Sequence, residues 1–179
     1  NCTGSISGDI SSEQSLSLKP GVDYKGTNDV VASIGDLSLP NIAPTGPDDS
    51  NYAQPIKIVD GDYTIDGSLE LDGTIYATGK IHINNGSSIS GSGAIVAGDE
   101  IHLNNIAVVG SEDDDTALFF YALGNKVHFN NATSVTVNGI IYAPAGGVHL
   151  NNVDSVTIKG GLYTSGGDLL INNIASFNV

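Results

Sequence analysis

The chain has no arginine, tryptophan or methionine, and only one cysteine. A protein that grips phosphates needs a basic face, and arginine is the side chain best fitted to hold phosphate with two parallel bonds. Six lysines stand here against 20 carboxylates, giving a formal net charge of −14. Nucleic acid and anionic membrane surfaces are therefore not expected partners. The acidic balance suits solubility in a crowded or extracellular setting. A lone cysteine cannot close an internal disulfide, so Cys2 is left as a free thiol, half of an interchain bridge, or a lipid-bearing residue near a processed terminus. No apolar run reaches the roughly 18 residues of a membrane-spanning helix, so no direct membrane span is expected. No secretory signal is present either, and the 179 residues read as a mature product or a fragment.

Helical periodicity is missing as well: no segment places apolar residues at i, i+3, i+4 and i+7. What is present is a repeat marked by Asn-Asn pairs at Asn84-Asn85, Asn104-Asn105, Asn130-Asn131, Asn151-Asn152 and Asn172-Asn173, spaced by 20, 26, 21 and 21 residues. An apolar–X–apolar triplet precedes each pair: Ile81-His82-Ile83, Ile101-His102-Leu103, Val127-His128-Phe129, Val148-His149-Leu150 and Leu169-Leu170-Ile171. Another strand-like stretch follows the pairs, as in Ser134-Val135-Thr136 and Ser155-Val156-Thr157. A third holds Ile75-Tyr76-Ala77, Ile95-Val96-Ala97, Phe120-Tyr121-Ala122, Ile141-Tyr142-Ala143 and Leu162-Tyr163-Thr164.

Alternation with period two marks short strands with one buried face. A unit this short cannot bury that face alone, whereas stacking copies at about 4.8 Å gives every strand two partners and builds a continuous core. The pattern predicts an all-β, right-handed parallel β-helix of about 20–21 residues per coil. Its expected inward rows are Ile81, Ile101, Val127, Val148, Leu169; then Ile83, Leu103, Phe129, Leu150, Ile171; and Ile89, Val109, Val135, Val156, Phe177. Corners demand positive φ, expected at Gly79, Gly98, Gly124, Gly146 and Gly166, at Gly93, Gly139 and Gly160, and at the Asn-Asn pairs. One Asn of each pair is expected to point inward and bond to the Asn of the next coil. A degenerate first coil occupies residues 56–74, so the solenoid is placed at 56–179. Residues 1–55 hold five of the six prolines and no copy of the repeat, and read as an irregular arm or cap.

Four features stand out as candidate sites. His82, His102, His128 and His149 share one register and should form an exposed ladder. Such a ladder can hold a borderline metal, respond to pH, or simply be inherited from the ancestral repeat. Tyr76, Tyr121, Tyr142 and Tyr163, with Val96 in the same row, form a second outward ladder that suits surface glycans or partner proteins, or only cross-strand packing. An insertion between two coils carries Glu112, Asp113, Asp114 and Asp115, whose carboxylates offer oxygen ligands for calcium. It lacks the spacing of a calcium-binding loop, so a solvated acidic loop is the competing reading. The segment Asp60-Gly61-Asp62…Asp66-Gly67 is a fainter version of the same idea.

No Gly-flanked nucleophilic serine, zinc-protease helix or phosphate loop occurs. No cofactor is expected beyond that calcium, and the chain reads as non-enzymatic. A carbohydrate-active β-helix enzyme of the polysaccharide lyase or hydrolase kind is the alternative, and it needs a localised acidic or metal cleft.

The run Gly93-Ala94-Ile95-Val96-Ala97-Gly98…Ile101-His102-Leu103-Asn104-Asn105, echoed by Ile141-Tyr142-Ala143…Val148-His149-Leu150-Asn151-Asn152, resembles the solenoid domains of PilX-type pilus-assembly proteins. Bactofilin-like solenoids are more distantly similar. The resemblance covers about residues 65–179. It implies a minor-pilin-like surface protein of type IV pilus machinery, though no pilin helix stands among these residues, and it carries over no functional residue. The expectation is an extracellular or cell-surface structural protein, a subunit or displayed module of a pilus-like filament, adhesive towards glycans or other pilus proteins. Because apolar rows continue to Val179, the last coil is expected to be buried against a copy of the chain, head to tail.

Overall fold

The computed structural model describes residues 43–111 and 116–179, and before them the backbone of four short strands. These four are β1 (Gly4–Ser7), β2 (Ile10–Ser12), β3 (Val22–Tyr24) and β4 (Asn28–Val30). Then come β5 (Ile56–Val59), β6 (Tyr63–Asp66), β7 (Leu69–Ala77), β8 (Ile81–Asn84), β9 (Ser88–Ala97) and β10 (Ile101–Asn104). The chain continues with β11 (Val108–Val109), β12 (Leu118–Ala122), β13 (Val127–Val137), β14 (Ile140–Tyr142), β15 (Val148–Ile158), β16 (Gly161–Tyr163) and β17 (Leu169–Asn178). No helix occurs among the described residues.

All described pairings are parallel and join each strand to its counterpart one coil away, so the protein is a parallel β-solenoid. One face stacks β6, β8, β10, β13, β15 and β17 in order, which gives six coils. Register follows the Asn-Asn alignment residue by residue: Ile81, Ile101, Val127, Val148 and Leu169 lie opposite one another, as do Ile83, Leu103, Phe129, Leu150 and Ile171. The insertion before β12 leaves this register intact, because Ile101 still faces Val127 across it. The third expected row also holds, from Ile89 and Val109 through Val135 and Val156 to Phe177.

A fourth inward row was not anticipated. Ile106, Ala132, Val153 and Ile174, each immediately after an Asn-Asn pair, are buried and stack in the core. On the remaining face Ile95, Phe120 and Ile141 are buried, and beside them Ala77, Ala97, Ala122 and Ala143 form a row of small residues.

The corners correct one expectation and sharpen another. Positive φ falls on the second Asn of every pair, Asn85, Asn105, Asn131, Asn152 and Asn173, with values from 52° to 57°. Asn is the side-chain-bearing residue that tolerates this left-handed region best. Gly79, Gly98, Gly124, Gly146 and Gly166, and likewise Gly139 and Gly160, do not take positive φ; Gly93 does. Close approach explains the glycine at this corner: a Cβ on Gly98 would sit 2.1 Å from the carbonyl oxygen of Thr78 in the coil before.

The asparagines form two ladders rather than one inward row. Nδ2 of Asn105, Asn131, Asn152 and Asn173 donates to Oδ1 of the preceding coil's second Asn at 2.8–3.1 Å. Nδ2 of Asn130, Asn151 and Asn172 does the same along the first-Asn row at 2.7 Å. The first Asn of each pair is half-buried and the second exposed.

One end of the stack gains a pairing from the N-terminal segment. β1 lies parallel to the end of β17, with Ile6 opposite Phe177 and Ser7 opposite Asn178, and β3 lies on β1. β1 and β3 thus extend the main sheet beyond β17, while β2 and β4 pair with each other in a separate two-stranded sheet; Gly4 lies opposite Val22 and Ile10 opposite Asn28, an 18-residue spacing. On that face the end of β17 has a backbone neighbour from its own chain. At the other end, β5 pairs only with β7 and β6 only with β8 among the described residues. Lys57, Asp60 and Asp66 stand in or beside those edge strands, a charge pattern that discourages edge-to-edge pairing.

Candidate functional site

Because Ile101 and Leu103 face the core, His102 must face outward, and the same alternation projects His82, His128 and His149. Parallel register sets the four in successive layers, His82 opposite His102, His102 opposite His128, and His128 opposite His149. Contrary to expectation, the ladder is half-buried rather than exposed. Its spacing is also uneven. His102 and His128 stack face to face, with ring centroids 4.6 Å apart and planes inclined by 4°. His82 meets His102 edge-on at 5.7 Å, and His149 meets His128 edge-on at 5.8 Å.

Two residues before each histidine lies a second outward row, which sequence reasoning missed. Its members in neighbouring coils are Lys80, Glu100 and Lys126, aligned by bonds from the Ile81 amide to the Glu100 carbonyl and from the Ile101 amide to the Lys126 carbonyl. Lys80 Nζ lies 3.6 Å from Glu100 Oε2, and Lys126 Nζ lies 3.8 Å from Glu100 Oε1. A carboxylate between two ammonium groups is favourable cross-strand pairing. It also leaves Glu100 on the same face as His102, with a side chain only 13% exposed.

Burial lowers the His128 pKa to about 4, with His102, Lys126 and His149 adding to the effect and Glu100 opposing it. Burial likewise lowers His102 and His149. Imidazoles held neutral in this way keep a lone pair available. Nε2 of His102 is buried and meets no hydrogen-bond partner among the described residues. One metal-competent group converges there: the ligand atoms of Glu100, His102 and His128 all lie within 4.8 Å of one another. His82 and His149 stand outside that group.

The tyrosine row is assembled as expected on β7, β12, β14 and β16, with Val96 in line. Tyr142 and Tyr163 stack at 5.2 Å, and Tyr121 meets Tyr142 edge-on at 6.2 Å. However, the row is half-buried, and Val96 is wholly buried. Residues 49–55 come close to this face. Thr74 Oγ1 donates to the Ala53 carbonyl at 2.8 Å. Burial raises the Tyr52 pKa to about 12, helped by the proximity of Tyr121, Asp49 and Tyr76. Asp49 holds the turn that carries Tyr52, accepting bonds from the amides of Thr45 and Asn51 at 3.0 Å, and these bonds lower its pKa to about 2. Tyr52, Phe119, Tyr121 and Ser92 line a shallow open depression of about 270 Å³.

Glu112, Asp113, Asp114 and Asp115, the expected calcium loop, lie outside the described residues. Two carboxylates of the fainter acidic segment serve the fold. Asp62 Oδ1 accepts the Lys80 amide at 2.8 Å and Asp60 Oδ1 accepts the Thr78 hydroxyl at 3.0 Å, so both tie the first coil to the second.

No protein-family profile, curated protein or solved structure matches the chain.

Proposed function

We propose that the chain is a non-enzymatic structural module displayed outside the cell, a subunit or decorating module of a pilus-like surface filament. The observation that carries this reading is where the recurrent polar groups go. The asparagine pairs that recur in five of the six coils bond to their copies in adjacent coils, and do not converge on a cavity. A row of amides bonded along the stacking axis stiffens a rod, which is what a filament component requires. Support also comes from the resemblance of the repeat to PilX-type solenoids. The tyrosine face offers an aromatic surface for a glycan or a neighbouring filament protein.

With β1 along the end of β17 and β3 along β1, the edge this reading assigns to self-assembly at that end is β3. In this reading, filament contacts join that edge to the β5 and β6 edge of the next copy.

Immunogold labelling of intact cells of the source organism, with antibody raised against the purified chain, tests the proposal. Label along surface filaments is the expected result. Label confined to the cell interior, or release of products from a panel of neutral and acidic polysaccharides by the purified chain, overturns it.

A further inference from the structure

The layer of Glu100, His102 and His128 differs from every other layer of the histidine ladder. It alone pairs two imidazoles face to face, and it alone has a carboxylate on the same face two residues before the histidine. The buried Nε2 of His102, which meets no partner among the described residues, adds an independent sign that something is missing from the hydrogen-bonding account of this face. Two neutral imidazoles and one carboxylate are a donor set suited to zinc and its first-row neighbours. They do not suit calcium or magnesium, which require six or more oxygens, mostly from carboxylates, carbonyls and water.

We propose that Glu100, His102 and His128 bind one divalent transition-metal ion of the zinc, nickel or copper class. A tetrahedral zinc with Zn–N bonds of about 2.0–2.1 Å needs ligand atoms about 3.4 Å apart. The three atoms here lie within 4.8 Å of one another, so the ion draws them in by an amount that side-chain torsions supply while the strands stay fixed. Three ligands leave one coordination position to water. Lys80 and Lys126 flank Glu100 and repel a cation, so the site is weaker than a closed structural zinc site. Both lysines are partly exposed and free to swing outward as the ion enters. The inference is independent of whether the rod belongs to a filament.

The test uses untagged chain stripped with chelator and titrated with zinc in a calorimeter, each variant first checked for an unchanged melting transition. The parent should bind one zinc per chain and show no response to calcium that competes with it. His102→Gln, His128→Gln and Glu100→Gln should each weaken zinc by at least about tenfold, the loss that even outer-shell partners of metal ligands produce. His82→Gln and His149→Gln should leave the affinity essentially unchanged, as should Cys2→Ser and neutralisation of Glu112, Asp113, Asp114 and Asp115. Lys126→Gln, which removes a repelling charge, should tighten binding. Absence of zinc binding overturns the proposal. So does equal loss across all four histidine variants, or binding that disappears with Cys2 or the acidic loop instead.

Discussion

Asn131 carries two separable loads, and two substitutions tell them apart. Its φ is 55°, its Nδ2 donates to Asn105 Oδ1 at 3.0 Å, and its Oδ1 accepts from Asn152 Nδ2 at 3.1 Å. Both bonds are exposed, so each contributes near the lower end of the usual net range, about 0.5 kcal/mol. Asn131→Gly keeps the left-handed backbone accessible and removes both bonds. With roughly 0.5 kcal/mol for the extra freedom of glycine in the unfolded chain, the expected loss is about 1.5 kcal/mol. Asn131→Ala loses the same two bonds and adds the left-handed penalty of an ordinary residue, about 1–2 kcal/mol, for a total of about 2–3 kcal/mol. Urea unfolding followed by circular dichroism, with equal slopes for both variants, measures the difference directly. The Ala variant should be less stable than the Gly variant by about 1 kcal/mol. Equal stability, or a more stable Ala variant, would refute the assignment of the corner to Asn backbone conformation.

Phe129→Ala should destabilise the chain by about 3–5 kcal/mol, since the ring is fully buried and meets Phe120 edge-on at 5.5 Å; a melting temperature like that of the parent would show the inward rows to be misplaced. Gly98→Ala should destabilise by more than about 1 kcal/mol despite an unexceptional φ, because the new Cβ meets a backbone oxygen that cannot move aside; denaturant unfolding checks it. Tyr52 gives a pH dependence. Its folded pKa of about 12 lies above the ordinary 10.0, so its contribution to stability is intact below 10.0 and is lost as pH rises through that window, the unfolded chain ionising first. Burial also raises Tyr121 and Tyr142, so phenolate absorbance should show one fewer late-titrating tyrosine in Tyr52→Phe than in the parent, and an unchanged late phase would refute the assignment.

Much of the fold was legible because a solenoid repeats its sequence constraint in every coil. Ile81, Ile101, Val127 and Val148 are interchangeable solutions to one inward position, and the Asn-Asn pairs mark one corner. The fourth core row escaped notice because its place in the second coil is held by Gly86, so Ile106, Ala132, Val153 and Ile174 show no run of similar residues. The N-terminal strands escaped for a related reason: their 18-residue spacing carries no Asn-Asn mark. The four histidines were readable as a ladder, but the choice of one layer was not. It depends on Glu100 lying between Lys80 and Lys126, and on ring orientation, both lateral properties of adjacent coils. Burial of Val96, in a row whose tyrosines are only half-buried, was likewise not readable from the alternation alone.

The central claim is that each coil lies on the next in the register of the Asn-Asn pairs, and paired cysteines test it most directly. Ser134 lies opposite Ser155 in the adjacent coil, whereas Thr157 is offset by two residues. Directly opposed strand residues are about 4.8 Å apart, within the Cα separation that a disulfide tolerates, while a two-residue offset carries the pair to about 8 Å. In a Cys2→Ser background, Ser134→Cys with Ser155→Cys should form an intramolecular disulfide under mild oxidation, and Ser134→Cys with Thr157→Cys should remain reduced. The reverse outcome, or equal crosslinking of both pairs, would contradict the stacked register on which the fold, the ladders and the proposed metal site all depend.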